Sequence, residues 1–280
     1  MQIRPLQFAL VVSLITIFGG CEQPGAKPGN TTVQTSQKLT TSAQAEETET
    51  IASLDELIVL LNRSSNILRL DLQHSGISDN DLKHLSKLSR LEELNLPEKT
   101  SDDGLKHLSD LTGLRKLLQN RTSMESHDSK PITDVGLNYL QNLRALQTLS
   151  LPYAEITDEG LKSLANFPSL EILHVGSDEI TDAGVPHLAT LPSLRRLSLR
   201  ATNVGDAGIK LIAKNHRSLE YLNLCHTKIT SAAVDDLSKL SNLEWLGVYE
   251  TPLNGSYPNK SDATAELERA LPDTEILWID

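Results

Sequence analysis

The stretch LQTLSLPYAEITDEGLKSLANFPS (146–169) runs straight into LEILHVGSDEITDAGVPHLATLPS (170–193) and LRRLSLRATNVGDAGIKLIAKNHRS (194–218). The three segments align on their leading leucines, Leu146, Leu170 and Leu194, at a period of 24. The same unit begins at Ile67, Leu91, Leu114, Leu219 and Leu243, and a degenerate strand starts at Thr274 in the closing TEILWID. Two spacings are longer, 32 from Leu114 to Leu146 and 31 from Leu243 to Thr274. They read as an inserted loop around Gln119 to Lys130 and a modified C-terminal cap. Self-similarity at a fixed period of this length is the mark of a stacked repeat array.

Each unit carries two periodicities. The LxxLxL part, as in Leu194, Leu197 and Leu199, ends in alternation of period two and predicts a short strand. A turn follows in which Asp79, Asp102, Asp134, Asp158, Asp182 and Asp206 recur, with Ser231 in the seventh copy. Aspartate and serine accept hydrogen bonds from the free amides at a helix start, so this column is expected to supply N-caps. Two residues later stand Gly104, Gly136, Gly160, Gly184 and Gly208, with Asp81 and Ala233 as exceptions. Glycine in a helical turn costs ~1 kcal/mol relative to alanine. Its recurrence therefore predicts a close approach between neighbouring repeats. The LxxL that follows, such as Leu161 and Leu164, reads as a short helix with its apolar stripe turned inward. Units this small cannot bury their leucines alone and must stack, with parallel strands on one face and helices on the other.

These motifs closely resemble the leucine-rich repeat family in its ribonuclease-inhibitor-like form. The ITDxGLxxL variant looks like repeats of F-box-type substrate receptors and of bacterial surface proteins. The resemblance spans about residues 54–280 and implies an α/β, right-handed leucine-rich-repeat solenoid, a horseshoe arc with a parallel concave sheet and convex helices. No F-box segment is visible before the repeats. The apolar stretch from Leu54 to Leu61 is expected to form an N-terminal cap helix.

The N-terminus reads as an address. Arg4 gives a short positive region, Leu6 to Phe18 an apolar one, and Gly19-Gly20 precede Cys21. Spanning a bilayer takes about 18 or more apolar residues, and this run is shorter. The pattern resembles a bacterial lipoprotein signal, which implies lipidation at Cys21, although Phe18 stands where that pattern usually has leucine. The alternative is a plain secretory signal with an incidental cysteine. Residues 1–20 are thus expected to be a signal peptide, residues 21–50 a flexible linker and residues 51–280 the repeat domain of about eight repeats. The linker is rich in Thr, Ser, Gln, Pro and Gly, with no aromatic to bury. At ~5–6 Å × √n it holds the domain roughly 30 Å from an anchor. The expected location is the cell envelope, with membrane contact through the lipid anchor only.

Composition bounds the function. The 280 residues carry 26 basic and 37 acidic side chains, a formal charge of −11. Removing residues 1–20 takes away only Arg4, so the mature charge is 25 − 37 = −12. Such a balance argues against nucleic acid and favours a basic protein partner by electrostatic steering. Two cysteines cannot build a disulfide-rich scaffold or a four-cysteine zinc site.

The eight histidines offer no converging acid–base or ligand set. His84, His107 and His187 hold matching helix positions on a solvated face. His74 and His226 match each other six repeats apart. His174 is expected on the concave face with no paired carboxylate in its repeat, and Cys225 just after a strand with His226 pointing to the opposite side. The aspartate column offers one carboxylate per repeat, not the converging oxygens that calcium needs. No catalytic residue, metal or cofactor is therefore expected.

The outward strand positions are the remaining candidates. Read strand by strand, they are Tyr221, Asn223 and Cys225, then Trp245, Gly247 and Tyr249, then Ile276, Trp278 and Asp280. Of ten aromatics, Phe8 and Phe18 fall in the signal, and four of the other eight occupy these positions. Tyr and Trp are enriched at binding hot spots. Tyr221, Trp245, Tyr249 and Trp278, bordered by Arg196 and Arg200, are the expected partner-binding residues. The competing expectation is that the tryptophans pack beneath the C-terminal cap. The 119–130 insertion reads as a recognition loop or a tolerated surface insertion. The functional expectation is a non-catalytic protein-interaction scaffold. The alternatives are an adaptor resembling F-box receptors and an enzyme with a concave-face site.

Overall fold

The leucine columns decide the architecture. In each repeat the leucines of LxxLxL turn to one side and the residues between them to the other, as strand alternation requires. The computed structural model describes residues 48–64, 66–121, 130–254 and 262–278. Its strands are β1 Glu49–Thr50, β2 Arg69–Asp71, β3 Glu93–Asn95, β4 Lys116–Leu118, β5 Thr148–Leu151, β6 Ile172–Val175, β7 Arg196–Ser198, β8 Tyr221–Asn223, β9 Trp245–Gly247 and β10 Glu275–Leu277. They form one sheet of ten in chain order, and every neighbouring pair is parallel. Leu149, Leu173, Leu197, Leu222 and Leu246 lie opposite one another across consecutive strands, and each is fully buried. Fully burying a leucine is worth about 1.5–3 kcal/mol, and here every repeat lays its leucines against the next. The fold is an α/β leucine-rich-repeat solenoid.

The sheet begins earlier than composition suggested. Glu49 and Thr50 pair with Leu70 and Asp71, and Ile51 is buried, so the last two residues assigned to the linker belong to the repeat unit. The expected cap helix is present as α1, Leu54–Arg63. Ser53 accepts from the Glu56 amide at 3.3 Å, and the Glu56 carboxylate accepts from the Ala52 amide at 2.8 Å. This reciprocal pair satisfies the helix start.

The helices on the far side are α2 Asp102–Leu105, α3 Asp134–Tyr139, α4 Asp206–Asn215, α5 Val234–Leu237 and α6 Asp262–Ala270. Other repeats close instead with 3₁₀ turns at Asp79–Lys87, Gly160–Asn166 and Val185–Thr190. An LxxL pair three residues apart suits a turn of three residues as well as one of 3.6, so the same stripe serves both geometries.

The aspartate column does not supply the caps. Ser101, Thr133 and Thr230, each one residue earlier, accept from the amides of Asp103, Val135 and Ala232. The aspartates reach forward to the next repeat. Asp134 accepts from the Thr157 amide at 2.9 Å and its hydroxyl at 2.7 Å. Asp79 holds Ser101, Asp102 holds Thr133, Asp158 holds Thr181 and Asp206 holds Thr230 in the same way. Asp182, facing a repeat whose cap is Gly205, takes the amides of Gly205 and Gly208.

The column is therefore a ladder that ties each cap to the preceding repeat. It also explains the glycines. A Cβ on Gly104, Gly136, Gly160, Gly184 or Gly208 would strike the carboxylate of the aspartate one repeat back. The first repeat has no aspartate behind it in the ladder. Asp81 takes the glycine's place there and closes a capping box with Ser78.

Gln119 is not a loop residue. It fills the core column elsewhere held by Leu96 and Leu151, is fully buried, and donates through Nε2 to the carbonyls of Thr100, at 2.8 Å, and Glu98, at 3.3 Å. Of the expected loop, residues 122–129 lie outside the described residues.

Candidate partner-binding surface

Sheet register assembles the C-terminal part of the concave face. Arg196 lies opposite Tyr221, and Tyr221 opposite Trp245, on three consecutive strands. The Tyr221 and Trp245 rings stack with centroids 4.3 Å apart and planes 4° from parallel. Strand spacing of about 4.8 Å sets that stack, because equivalent side chains on adjacent parallel strands stand one spacing apart. A Cβ on Gly247 would meet the six-membered ring of Trp245 at 2.5 Å and the Cys225 sulfur at 2.9 Å. The indole thus lies flat over a glycine two residues along its own strand. Glycine here is a requirement of the stack.

Two residues past β5, and three past each of β7, β8 and β9, the chain turns through a left-handed residue: Tyr153, Ala201, His226 and Glu250 stand there with φ of 65°, 58°, 59° and 50°. The left-handed conformation re-aims the side chain relative to strand alternation, so His226 does not point away from its neighbours as alternation predicts. It lies between Arg200, whose Nη2 is 3.1 Å from His226 Nε2, and Glu250, whose Oε2 is 2.8 Å from Nδ1. The guanidinium can only donate, so Nε2 accepts and Nδ1 carries the proton toward Glu250. The Tyr249 ring meets the imidazole edge-on at 5.5 Å, and its hydroxyl donates to Glu250 at 3.0 Å. Arg200 and Tyr249, both expected at the surface, are thus joined through His226 and Glu250, which alternation alone did not place there. Tyr, Ala, His and Glu fill this turn position in different repeats, so no residue type marks it in the sequence.

Trp278 is a correction. β10 pairs Glu275 with Trp245, Ile276 with Leu246 and Leu277 with Gly247. Glu275 and Leu277 therefore occupy the concave positions, while Ile276 and Trp278 pack against the core. The run Ile-Leu-Trp-Ile has no alternation from which a phase can be read, and pairing moves the register by one residue. The same shift places Thr274 opposite Glu244, one position later than supposed, and Trp278 accepts a hydrogen bond from Asn254. Asp280, like Cys21, lies outside the described residues.

Cys225 and His174 face the concave side but are buried, with 0% and 3% of their surface exposed. They stand two strands apart, about 10 Å by strand spacing, beyond hydrogen-bond reach of each other. His174 Nδ1 lies 3.4 Å from the Ser150 hydroxyl. The N-terminal part of the face is paired within itself. Glu93 takes both Arg69, at 3.4 Å, and Lys116, at 2.7 Å, from the strands on either side.

Fold and surface together define a leucine-rich-repeat solenoid with an aromatic–arginine patch at one end of its sheet. Residues 142–165 and 190–213 match the profile of the Leucine Rich repeat family. Among solved structures the chain is similar to an internalin (inlF) from Listeria monocytogenes str. 4b F2365, at 23% identity and a TM-score of 0.48. That match covers 79% of this chain and 69% of the other. It is also similar to internalin C2 (inlC2) from the same strain, at 22% identity and a TM-score of 0.40. There 59% of this chain is covered, and 62% of the internalin C2 chain, less than two thirds of its length. No curated protein matches the chain.

Proposed function

We propose that this protein is a non-catalytic recognition module, exported to the cell envelope and tethered there through Cys21, that binds a protein partner on the C-terminal part of its concave face. Leucine-rich-repeat folds generally serve protein–protein interaction. The observation that carries the placement is the Tyr221–Trp245 stack, half-buried on adjacent strands with Arg196 beside it. Stacked aromatics on a rigid sheet give contact area with little ordering cost on binding. The signal-like run before Cys21 supports export. Among the described residues, no helix is long and apolar enough to cross a membrane. The mature chain's net charge of 25 − 37 = −12 favours a basic partner at long range, but screening over about 8 Å leaves the chemistry at contact to the patch itself.

A pull-down from cell-envelope extract tests recognition, with the chain run beside a Trp245→Ala variant of checked stability. A partner held by the parent and lost by the folded variant is expected. A partner held equally by both moves the site off the patch. Export is tested by mass spectrometry of the envelope-borne chain. The expected N-terminus is an acylated Cys21, and Cys21→Ser should release the protein from the membrane fraction.

A further inference from the structure

The residues of β7 and its extension alternate strictly. Leu197 and Leu199 are buried in the core, so Arg196, Ser198 and Arg200 all face the concave side. Among the described residues Arg196 makes no ion pair, in contrast to Arg69 and Lys116, which share Glu93 at the other end of the face. Ser198 is 0% exposed, yet its hydroxyl has no hydrogen-bond partner, and neither has Arg200 Nε. The lateral neighbours of Ser198 in register, His174 and Asn223, are engaged elsewhere. His174 lies beside Ser150, and Asn223 accepts from the Cys225 amide at 3.0 Å. One strand thus presents two guanidinium groups with a buried hydroxyl between them, next to the aromatic stack.

We propose that this row seats an acidic, extended segment of a protein partner, its carboxylates on Arg196 and Arg200 and, as the side chains covering it part on binding, on the Ser198 hydroxyl, with its flank against the Tyr221–Trp245 stack. The inference rests on the recognition reading above and names the partner's chemistry. The donors recur every second residue, about 6.6 Å apart along a strand. An extended peptide with acidic residues at alternate positions repeats its carboxylates at the same pitch. A buried hydroxyl without a partner carries a desolvation penalty that an incoming acceptor removes. The nearest carboxylate on the turn, Glu250, is held by His226 and Tyr249. Glu275 stands three strands from β7, about 14 Å away.

Calorimetric titration of the full chain with a blocked eight-residue peptide alternating glutamate and threonine tests this. Glutamine–threonine and lysine–threonine peptides of the same length are the controls. The acidic peptide should bind, more weakly as salt rises, and neither control should. Arg196→Gln should lower its affinity about ten- to a hundred-fold. Ser198→Ala should lower affinity several-fold and at the same time raise Tm, because it deletes a buried hydroxyl that lacks a partner in the free protein. A merely structural serine would not move those two readouts in opposite directions.

No binding of the acidic peptide, equal affinity in parent and variants, or preference for the lysine peptide overturns the inference. So does inorganic phosphate competing as well as the peptide does. The pull-down separates this inference from the reading beneath it. An envelope partner lost with Trp245→Ala but kept with Arg196→Gln leaves recognition at the patch standing and removes the acidic segment.

Discussion

His216 occupies a column that the other repeats fill with Leu88, Leu111, Leu143, Phe167, Leu191 and Leu240, all of them buried. It is itself only 3% exposed, and Nε2 has no hydrogen-bond partner. Burial holds its imidazole below the ordinary histidine range, partly offset by a hydrogen bond to the Leu188 backbone. The position ends α4, where the helix dipole would favour a cation, but burial wins. The folded chain therefore binds a proton at this site less readily than the unfolded one. The stability that follows is present above the unfolded histidine pKa of about 6.5 and is lost as pH falls through the folded value. Urea midpoints at pH 7.5 and pH 5.0 should show this loss in the parent. In His216→Leu, which restores the residue type of the other repeats, the difference should shrink. An unchanged difference would assign the acid sensitivity to other groups.

At the scale of the element, the joint between repeats is the aspartate ladder and the glycine that makes room for it. Helix propensity predicts that Gly160→Ala stabilises by ~1 kcal/mol. The structure predicts the reverse, a loss of about 1–3 kcal/mol, because the methyl group would be driven into the Asp134 carboxylate. Asp134→Ala alone should cost about 1.5–3 kcal/mol, since the Thr157 amide and hydroxyl lose a charged acceptor. Together the two substitutions should cost less than their sum, as the second removes the obstacle to the first. A double-mutant cycle by urea denaturation measures that coupling, and strict additivity would dissociate the glycine from the ladder.

The close approach was legible in the sequence as recurring glycine, but its cause was not. Threonine and aspartate stand side by side and both can cap a helix. Only the packing of one repeat on the next shows that threonine caps and aspartate reaches across. The candidate site divides in the same way. Period two placed Arg196, Tyr221 and Trp245 together, whereas the Arg200–His226–Glu250 contact depends on left-handed turn residues that have no signature in a histidine or a glutamate. Trp278 was misplaced because four apolar residues in a row carry no phase.

For the whole molecule, each strand neighbours only the strands before and after it in the chain, so the interactions that hold each repeat come from its two neighbours and cooperativity must pass along the array. Its weakest link should lie after β4. There the spacing lengthens to 32 residues, Gln119 replaces leucine in the core, and the buried Gln119 Oε1 has no partner. Both tryptophans, Trp245 and Trp278, stand at the C-terminal end of the sheet, so their fluorescence reports one side of that link while far-ultraviolet dichroism reports both. Leu94→Ala in β3 should cost about 2–5 kcal/mol. It should also pull the two probes apart, the dichroism falling at lower denaturant while the tryptophan signal holds. Leu222→Ala in β8, of the same expected cost, should instead move the tryptophan transition to lower denaturant. If Leu94→Ala shifted both probes together, coupling across Gln119 would match that between any other pair of repeats. The partner-binding end would then share its stability with the whole array rather than with the strands after the insertion.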